Sequence, residues 1–267
     1  MNRHDLYCFA RRSAVLACAG STLLVPLRAS PQHRVDGAAA SAWSIPARYR
    51  GMLVTHRLRY FPSKLLALTF DDGPDPHITP AILDALKLHH AKATFFVLGR
   101  NAQRFPHLVR AAVRAGHCVG SHSYSHPAHT NAPQAAMELD ATREAIYKAA
   151  GAAPTVFRPP YGITRGELAK AARRRGYAVI TWTISSADTR PISPQQIARN
   201  VIFTPNPGDI VLMHDGGGHR ATAAALPLIL RALNKQGWRF VTVPELLRAW
   251  DQWQRRTSVR RPLAPGR

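Results

Sequence analysis

From Leu65 onward, short apolar runs alternate with amphipathic stretches of helical length, and this alternation is the strongest constraint on how the chain can fold. The spacing predicts strands at 65–70, 93–98, 117–121, 154–157, 177–183, 209–213 and 238–242. Helices are expected at 78–90, 106–115, 133–150, 165–175, 194–203, 221–236 and 244–253. Seven strand–helix units argue for a parallel sheet or barrel, and right-handed crossovers place the helices outside it. A length of 267 residues suits a single α/β barrel. An apolar content of 46% supplies a sizeable core and excludes a fully disordered chain.

Chemistry in such barrels sits at the C-terminal ends of the strands. The first strand runs into Asp71-Asp72-Gly73-Pro74, and the third into Ser121-His122-Ser123-Tyr124-Ser125-His126. The fourth meets Arg158-Pro159-Pro160-Tyr161-Gly162, Asp188 follows the fifth, and the sixth meets His214-Asp215-Gly216-Gly217-Gly218. Adjacent strand-end residues point in different directions, so Asp71 and Asp72 can take different jobs. Asp-Asp-Gly-Pro is also good turn chemistry, and an isolated pair of histidines four apart is usually ordinary surface. Together at one rim they read differently. His122 and His126 can reach one metal ion, and two imidazoles with one carboxylate make a catalytic zinc set with open positions.

At this point the sequence resembles a known family. TFDDGPD at 69–75, SHSYSHP at 121–127, RPPYG at 158–162 and LMHDGGG at 212–218 are similar, in order and spacing, to the motif series of polysaccharide deacetylases. These are carbohydrate esterase family 4, with the NodB-like domain. The resemblance spans about Leu65 to Trp250. It implies a distorted (β/α)7 barrel, a divalent metal (zinc, or cobalt or nickel) and hydrolysis of N-acetyl or O-acetyl groups on a sugar. It further implies that Asp72, His122 and His126 bind the metal, Asp71 is the general base, and His214 is the general acid. Arg158 would orient Asp71, Asp188 would tune His214, the Tyr161 N–H would help hold the oxyanion, and Leu212 would touch the acetyl methyl.

The chain departs from the family pattern near Asp188. The family usually has Asp three residues before it and Trp just after, where Ser185 and Thr189 stand here. Thr189 is then expected to line a wider, more polar acyl pocket. Cys118, Trp182 and Trp238 are expected to pack in the core or rim, and His77, His89, His90 and His129 to be exposed. His219 lies near the expected acid.

Residues 1–30 have the layout of a secretory signal. A basic start with Arg3, Arg11 and Arg12 precedes an uncharged apolar stretch at 13–27, with Ala29-Ser30 at the exit. An uncleaved anchor is the alternative. Residues 31–63 read as a connecting segment with one short strand, 64–253 as the catalytic domain, and 254–267 as a basic, disordered tail. No membrane-spanning run follows the signal. The expected location is therefore outside the cytoplasm: periplasmic, envelope-associated or secreted. Three cysteines without a CxxC pair give neither a zinc ribbon nor a disulfide framework. A net charge of +21 favours association with anionic envelope polymers. Its arginines are dispersed, which argues against a specific nucleic-acid partner. The expected substrate is an acetylated glycan: peptidoglycan, chitin oligosaccharides or an exopolysaccharide. A non-catalytic glycan-binding barrel is the alternative, and the intact Asp71, Asp72, His122, His126 and His214 argue against it.

Overall fold

All seven expected strands form, and the register between them sets the chemistry. The computed structural model describes residues 39–203 and 205–259. Its strands are β1 (Leu53–Val54), β2 (Leu65–Asp71), β3 (Ala93–Val97), β4 (Cys118–Ser121), β5 (Val156–Phe157), β6 (Ala178–Ile180), β7 (Ile184–Ser185), β8 (Ile210–His214) and β9 (Arg239–Phe240). The helices are α1 (Thr79–Leu88), α2 (Gly99–Arg104), α3 (Pro106–Arg114), α4 (Ala132–Ala150), α5 (Glu167–Arg174), α6 (Pro194–Ile202), α7 (Arg220–Lys235) and α8 (Val243–Val259). All these strand pairs are parallel, in the order β1-β6-β5-β4-β3-β2-β8-β7, with β9 against the start of β2. Among the described residues no ladder joins β1 to β7, so the curled sheet keeps one open seam. That is the distortion expected of the barrel, with two short strands, β1 and β7, beyond the seven units.

Strand β2 is the longest strand and pairs with three others, β3, β8 and β9. Every one of its residues is buried, as a parallel strand covered on both faces requires. It pairs with β3 on one side and β8 on the other, so Asp71 lies opposite Phe96 and opposite His214. The helices start where sequence chemistry says they should. Asn131 and Gln134 form a reciprocal capping box on α4, and the Ser193 hydroxyl accepts from the Gln196 N–H at the start of α6. Helix α2 escaped the periodicity reading because GRNAQR is short and mostly polar. Cys118 and Trp238 are buried as expected.

Two boundaries move. From residue 39 the expected connecting segment is part of the core: Trp43, Ile45, Tyr49, Val54 and Phe61 are all buried. Its short strand exists, and β1 extends the sheet beside β6. The Trp43 indole N–H donates to the His117 carbonyl at 3.2 Å. The segment has no periodicity because it buries isolated aromatics rather than a face. At the other end, α8 runs to Val259, past the expected boundary at 253. Gln254 in it accepts from Arg48 at 2.7 Å. The expected signal at 1–30 and residues 260–267 of the expected tail lie outside the described residues.

Trp43, only 2% exposed, tests this assignment. Trp43→Ala should cost about 3–5 kcal/mol of stability in urea unfolding, as for a buried aromatic. A loss below about 1 kcal/mol would show that the segment rests on the core without belonging to it.

Candidate active site

The rim residues are held by a buried cation. Arg158 follows β5, and its side chain is fully buried. Its Nη1 donates to Asp71 Oδ1 at 2.7 Å and to Thr69 Oγ1 at 2.7 Å, and its Nη2 donates to the Thr181 carbonyl at 3.1 Å. The guanidinium lies 4.3 Å from the Phe96 ring centroid and 5.9 Å from that of Trp182, within reach of cation–π attraction. A guanidinium buried this deeply needs a partner charge and filled donors, and Asp71, itself 3% exposed, supplies the charge. Asp71 is thereby fixed with one oxygen on Arg158. Its other oxygen, Oδ2, lies 3.8 Å from His122 Nε2.

Asp72 turns the other way. Its φ of 71° takes the chain out of the strand, and Asn101 of α2 donates to its carbonyl at 2.8 Å. Asp72 Oδ1 sits 3.6 Å from His122 Nε2 and 3.5 Å from His126 Nε2. The three ligand atoms lie within 4.8 Å of one another. His122 Nδ1 is 2.7 Å from the Arg158 carbonyl. A carbonyl can only accept, so the proton is on Nδ1 and the Nε2 lone pair faces Asp72. Burial holds His126 below the usual imidazole value, which favours the neutral ring able to ligate. Asp72 Oδ1 is buried without a hydrogen-bond partner. A buried carboxylate oxygen without a donor, facing two imidazole nitrogens, fits a divalent cation. The cluster comprises the three residues expected from the sequence to hold a metal.

His214 ends β8. Its Nδ1 lies 2.9 Å from Asp188 Oδ1, so Nδ1 carries the proton. Asp188 Oδ2 accepts from the His214 backbone N–H at 2.7 Å and from Thr222 Oγ1 at 2.7 Å. Burial opposes an imidazolium at His214, but the Asp188 hydrogen bond and the charges of Asp71, Asp188 and Asp72 outweigh it and raise its pKa. Burial likewise works against the Asp188 carboxylate, and the hydrogen bonds from His214 and Thr222 override it and lower its pKa.

Tyr161 has a φ of 57°. Its exposed ring packs edge-on to His126 with centroids 4.5 Å apart. Trp182 packs beneath Gly162, where an added Cβ would come within 2.9 Å of the indole. Leu212 is nearly buried and registers with Thr69 and Ser185. Thr189 is exposed. Asp72, Ser123, His126, Tyr161 and Ala187 all have positive φ without being glycine, and such strain concentrates at functional sites.

Sequence reasoning quoted Asp215 within a motif and gave it no role. It is fully buried, and burial raises its pKa to about 7. It accepts from Thr79 Oγ1 at 2.6 Å. Gly73 packs so closely that a Cβ there would lie 2.2 Å from its carboxylate. Its backbone N–H donates to the Asp71 carbonyl at 3.0 Å. Asp215 therefore clamps the Asp71–Pro74 turn to the end of β8. A carboxylate directly after His214 and before three glycines was the available signal.

Comparison with known proteins agrees with this geometry. The polysaccharide deacetylase family model matches residues 59–180. A peptidoglycan-N-acetylglucosamine deacetylase of Bacillus cereus is 40% identical over 185 residues, covering 68% of this chain and 67% of that protein. A chitooligosaccharide deacetylase of Bradyrhizobium is 34% identical, covering 67% of this chain and 89% of that protein. A crystal structure of a peptidoglycan N-acetylglucosamine deacetylase superposes with a TM-score of 0.69 at 36% identity, over 74% of this chain and 94% of that one. The chain belongs to the polysaccharide deacetylase family, carbohydrate esterase family 4, and is a hydrolase of the class that removes N-acetyl groups from carbohydrate.

The buried pair gives a direct test. Arg158→Met strands the Asp71 carboxylate and should cost about 3–5 kcal/mol in urea unfolding. Adding Asp71→Leu should recover much of that loss. No recovery in the double variant would show that Arg158 acts mainly through its carbonyl contacts and ring packing.

Proposed function

We propose that this protein is exported and removes N-acetyl groups from the amino sugars of an envelope polysaccharide, releasing acetate. The observation that carries the reading is the Asp72–His122–His126 set lying beside Asp71, with His214 next to Asp71 in the strand register. The peptidoglycan deacetylase relatives, and the signal-like first thirty residues, support a substrate outside the cytoplasm. The net charge of +21 suits a protein working among anionic polymers.

An acetamide is a poor electrophile and water a poor nucleophile. Asp72, His122 and His126 would hold a divalent cation, zinc or else cobalt or nickel, whose Lewis acidity polarises the acetyl carbonyl and makes water easier to deprotonate. The other steps belong to the chain's own side chains. Asp71, locked by Arg158, takes the proton from the attacking water. The Tyr161 N–H donates to the oxyanion that develops on the acetyl oxygen. His214 Nε2 protonates the departing amine, since an amide nitrogen leaves badly as an anion. Asp188 keeps that imidazole protonated and oriented through Nδ1. Leu212 contacts the acetyl methyl, and Thr189, in place of the family's usual indole, leaves the acyl pocket wider.

The neighbouring carboxylates separate by experiment. A chelator should abolish acetate release, and zinc or cobalt should restore it. Asp72→Asn should lose metal and activity together. Asp71→Asn should retain stoichiometric metal by elemental analysis, yet lose about 10²-fold or more in kcat, as for a missing general base. Equal loss of metal from both variants would overturn the division of roles.

The pH profile tests the acid. His214 must be protonated to act, and its raised pKa keeps it protonated to higher pH. Asp188→Asn removes the charge that raises it, so the alkaline limb of kcat should move to lower pH, with kcat falling about 10²-fold. An unmoved alkaline limb would assign that limb to another group.

A further inference from the structure

The two histidines of the metal set are joined by a short loop, and a residue outside every quoted motif holds it. Ser123 and His126 both have a φ of 66°, a backbone that persists only where its surroundings over-determine it. The first residues of α2 supply one side of the hold. The Gly99 and Arg100 N–H groups donate to the Ser123 and Tyr124 carbonyls at 2.9 and 3.2 Å. The Tyr124 hydroxyl donates to Gln103 at 2.6 Å, and the His126 N–H donates to Ser123 Oγ at 3.1 Å.

Glu138 of α4 supplies the other side. Its Oε2 accepts from the Tyr124 N–H at 2.7 Å and from the Ser125 N–H at 2.8 Å, and its Oε1 accepts from the Ser125 hydroxyl at 2.6 Å. Both carboxylate oxygens are thus spent on the two residues before His126. The exposed acids further along α4 are used differently: Asp140 pairs with Arg175 and Glu144 with Lys148. Glu138 has no ion pair among the described residues, so its charge serves the loop donors alone. Its own position is fixed. The capping box sets where α4 begins, buried Ala135, Leu139 and Thr142 seat the helix on the core, and Thr142 Oγ1 donates to the Glu138 carbonyl at 2.6 Å. Helix α2, the loop and α4 are in contact: a Cβ on Gly99 would lie 2.5 Å from the Tyr124 ring and 2.8 Å from Thr142 Oγ1.

We propose that Glu138 is a positioning residue of the metal centre. Its carboxylate shapes the loop so that the His122 and His126 Nε2 atoms, 3.6 and 3.5 Å from Asp72 Oδ1, face that oxygen together before a cation binds. The affinity for the cation then depends on a side chain that does not touch it. The cause is geometric: hydrogen bonds to a carboxylate are short and strong, and Ser125, which receives two of its contacts, adjoins His126 directly. The inference rests on the metal assignment made for Asp72, His122 and His126.

Two substitutions separate geometry from charge. Glu138→Asp keeps the charge but withdraws it by one methylene from donors now at 2.6–2.8 Å. Glu138→Gln removes the charge but keeps the reach, since its amide oxygen accepts from the two N–H groups and its NH2 donates to Ser125 Oγ. The measurement is the zinc dissociation constant of the full chain, by competition with a chromogenic chelator. E138D should bind zinc roughly tenfold more weakly or worse, and E138Q within about threefold of wild type, as for loss and retention of a group that orients a ligand. The control D140N, two residues along the same helix, should match wild type. Urea unfolding of the metal-free proteins runs alongside. An E138D whose unfolding midpoint falls while its zinc affinity stays would show a merely structural role and overturn the proposal. So would an E138Q as weak as E138D or weaker, which would make the effect one of charge. A wild-type chain that binds no zinc would instead overturn the metal assignment itself.

Discussion

The contact between Arg158 and Asp71 organises the site. A guanidinium that is fully buried cannot be left without a counter-charge, because desolvation costs several kcal/mol per ion. The 2.7 Å bond to Asp71 meets that demand and at the same time fixes a carboxylate that would otherwise rotate. Thr69 and the Thr181 carbonyl take further guanidinium donors, and Phe96 lies against its face. The same residue presents its own carbonyl to His122 Nδ1, which aims Nε2 at Asp72. One buried residue thus sets both the orientation of Asp71 and the tautomer of His122.

Sheet register brings the other half of the chemistry to the same place. Parallel pairing of β2 with β8 puts Asp71 directly beside His214, with no choice of side-chain rotamer needed to make them neighbours. The turn after Asp72 is then clamped. Asp215 packs against Gly73 and accepts from Thr79, and Gly216 approaches the Asp72 backbone so closely that a Cβ would overlap its carbonyl. Asn101 ties the Asp72 carbonyl to α2. Residues at positive φ persist only where their surroundings over-determine them, and these contacts are what hold Asp72.

The legible parts were those with a local signature. Strands appeared because buried parallel strands are continuous apolar runs, and LLALTF or ATFFVL has few other readings. The candidate metal set was legible because Asp72, His122 and His126 follow strand ends in the quoted motifs. The N-terminal segment was not, since Trp43, Tyr49 and Phe61 are single aromatics whose partners lie far along the chain. Helix α2 lacked an apolar face, so its role in holding Asp72 had no periodic signal. Asp215 looked like loop chemistry, because nothing local says that a carboxylate is buried at 0% exposure.

By itself the sequence determined the strand–helix alternation, the family, and the identity of the residues on the rim, because each depends on residue type and spacing along the chain. The resemblance assigned Arg158 to Asp71 and the metal to Asp72, but only the tertiary structure supplies the physical cause of that division. The two are neighbours in sequence with identical chemistry. What separates them is the backbone at Asp72, turned to a φ of 71°, and a buried cation supplied from 87 residues away. Sequence can place two carboxylates side by side, but their division of labour is set by which of them a distant strand neutralises.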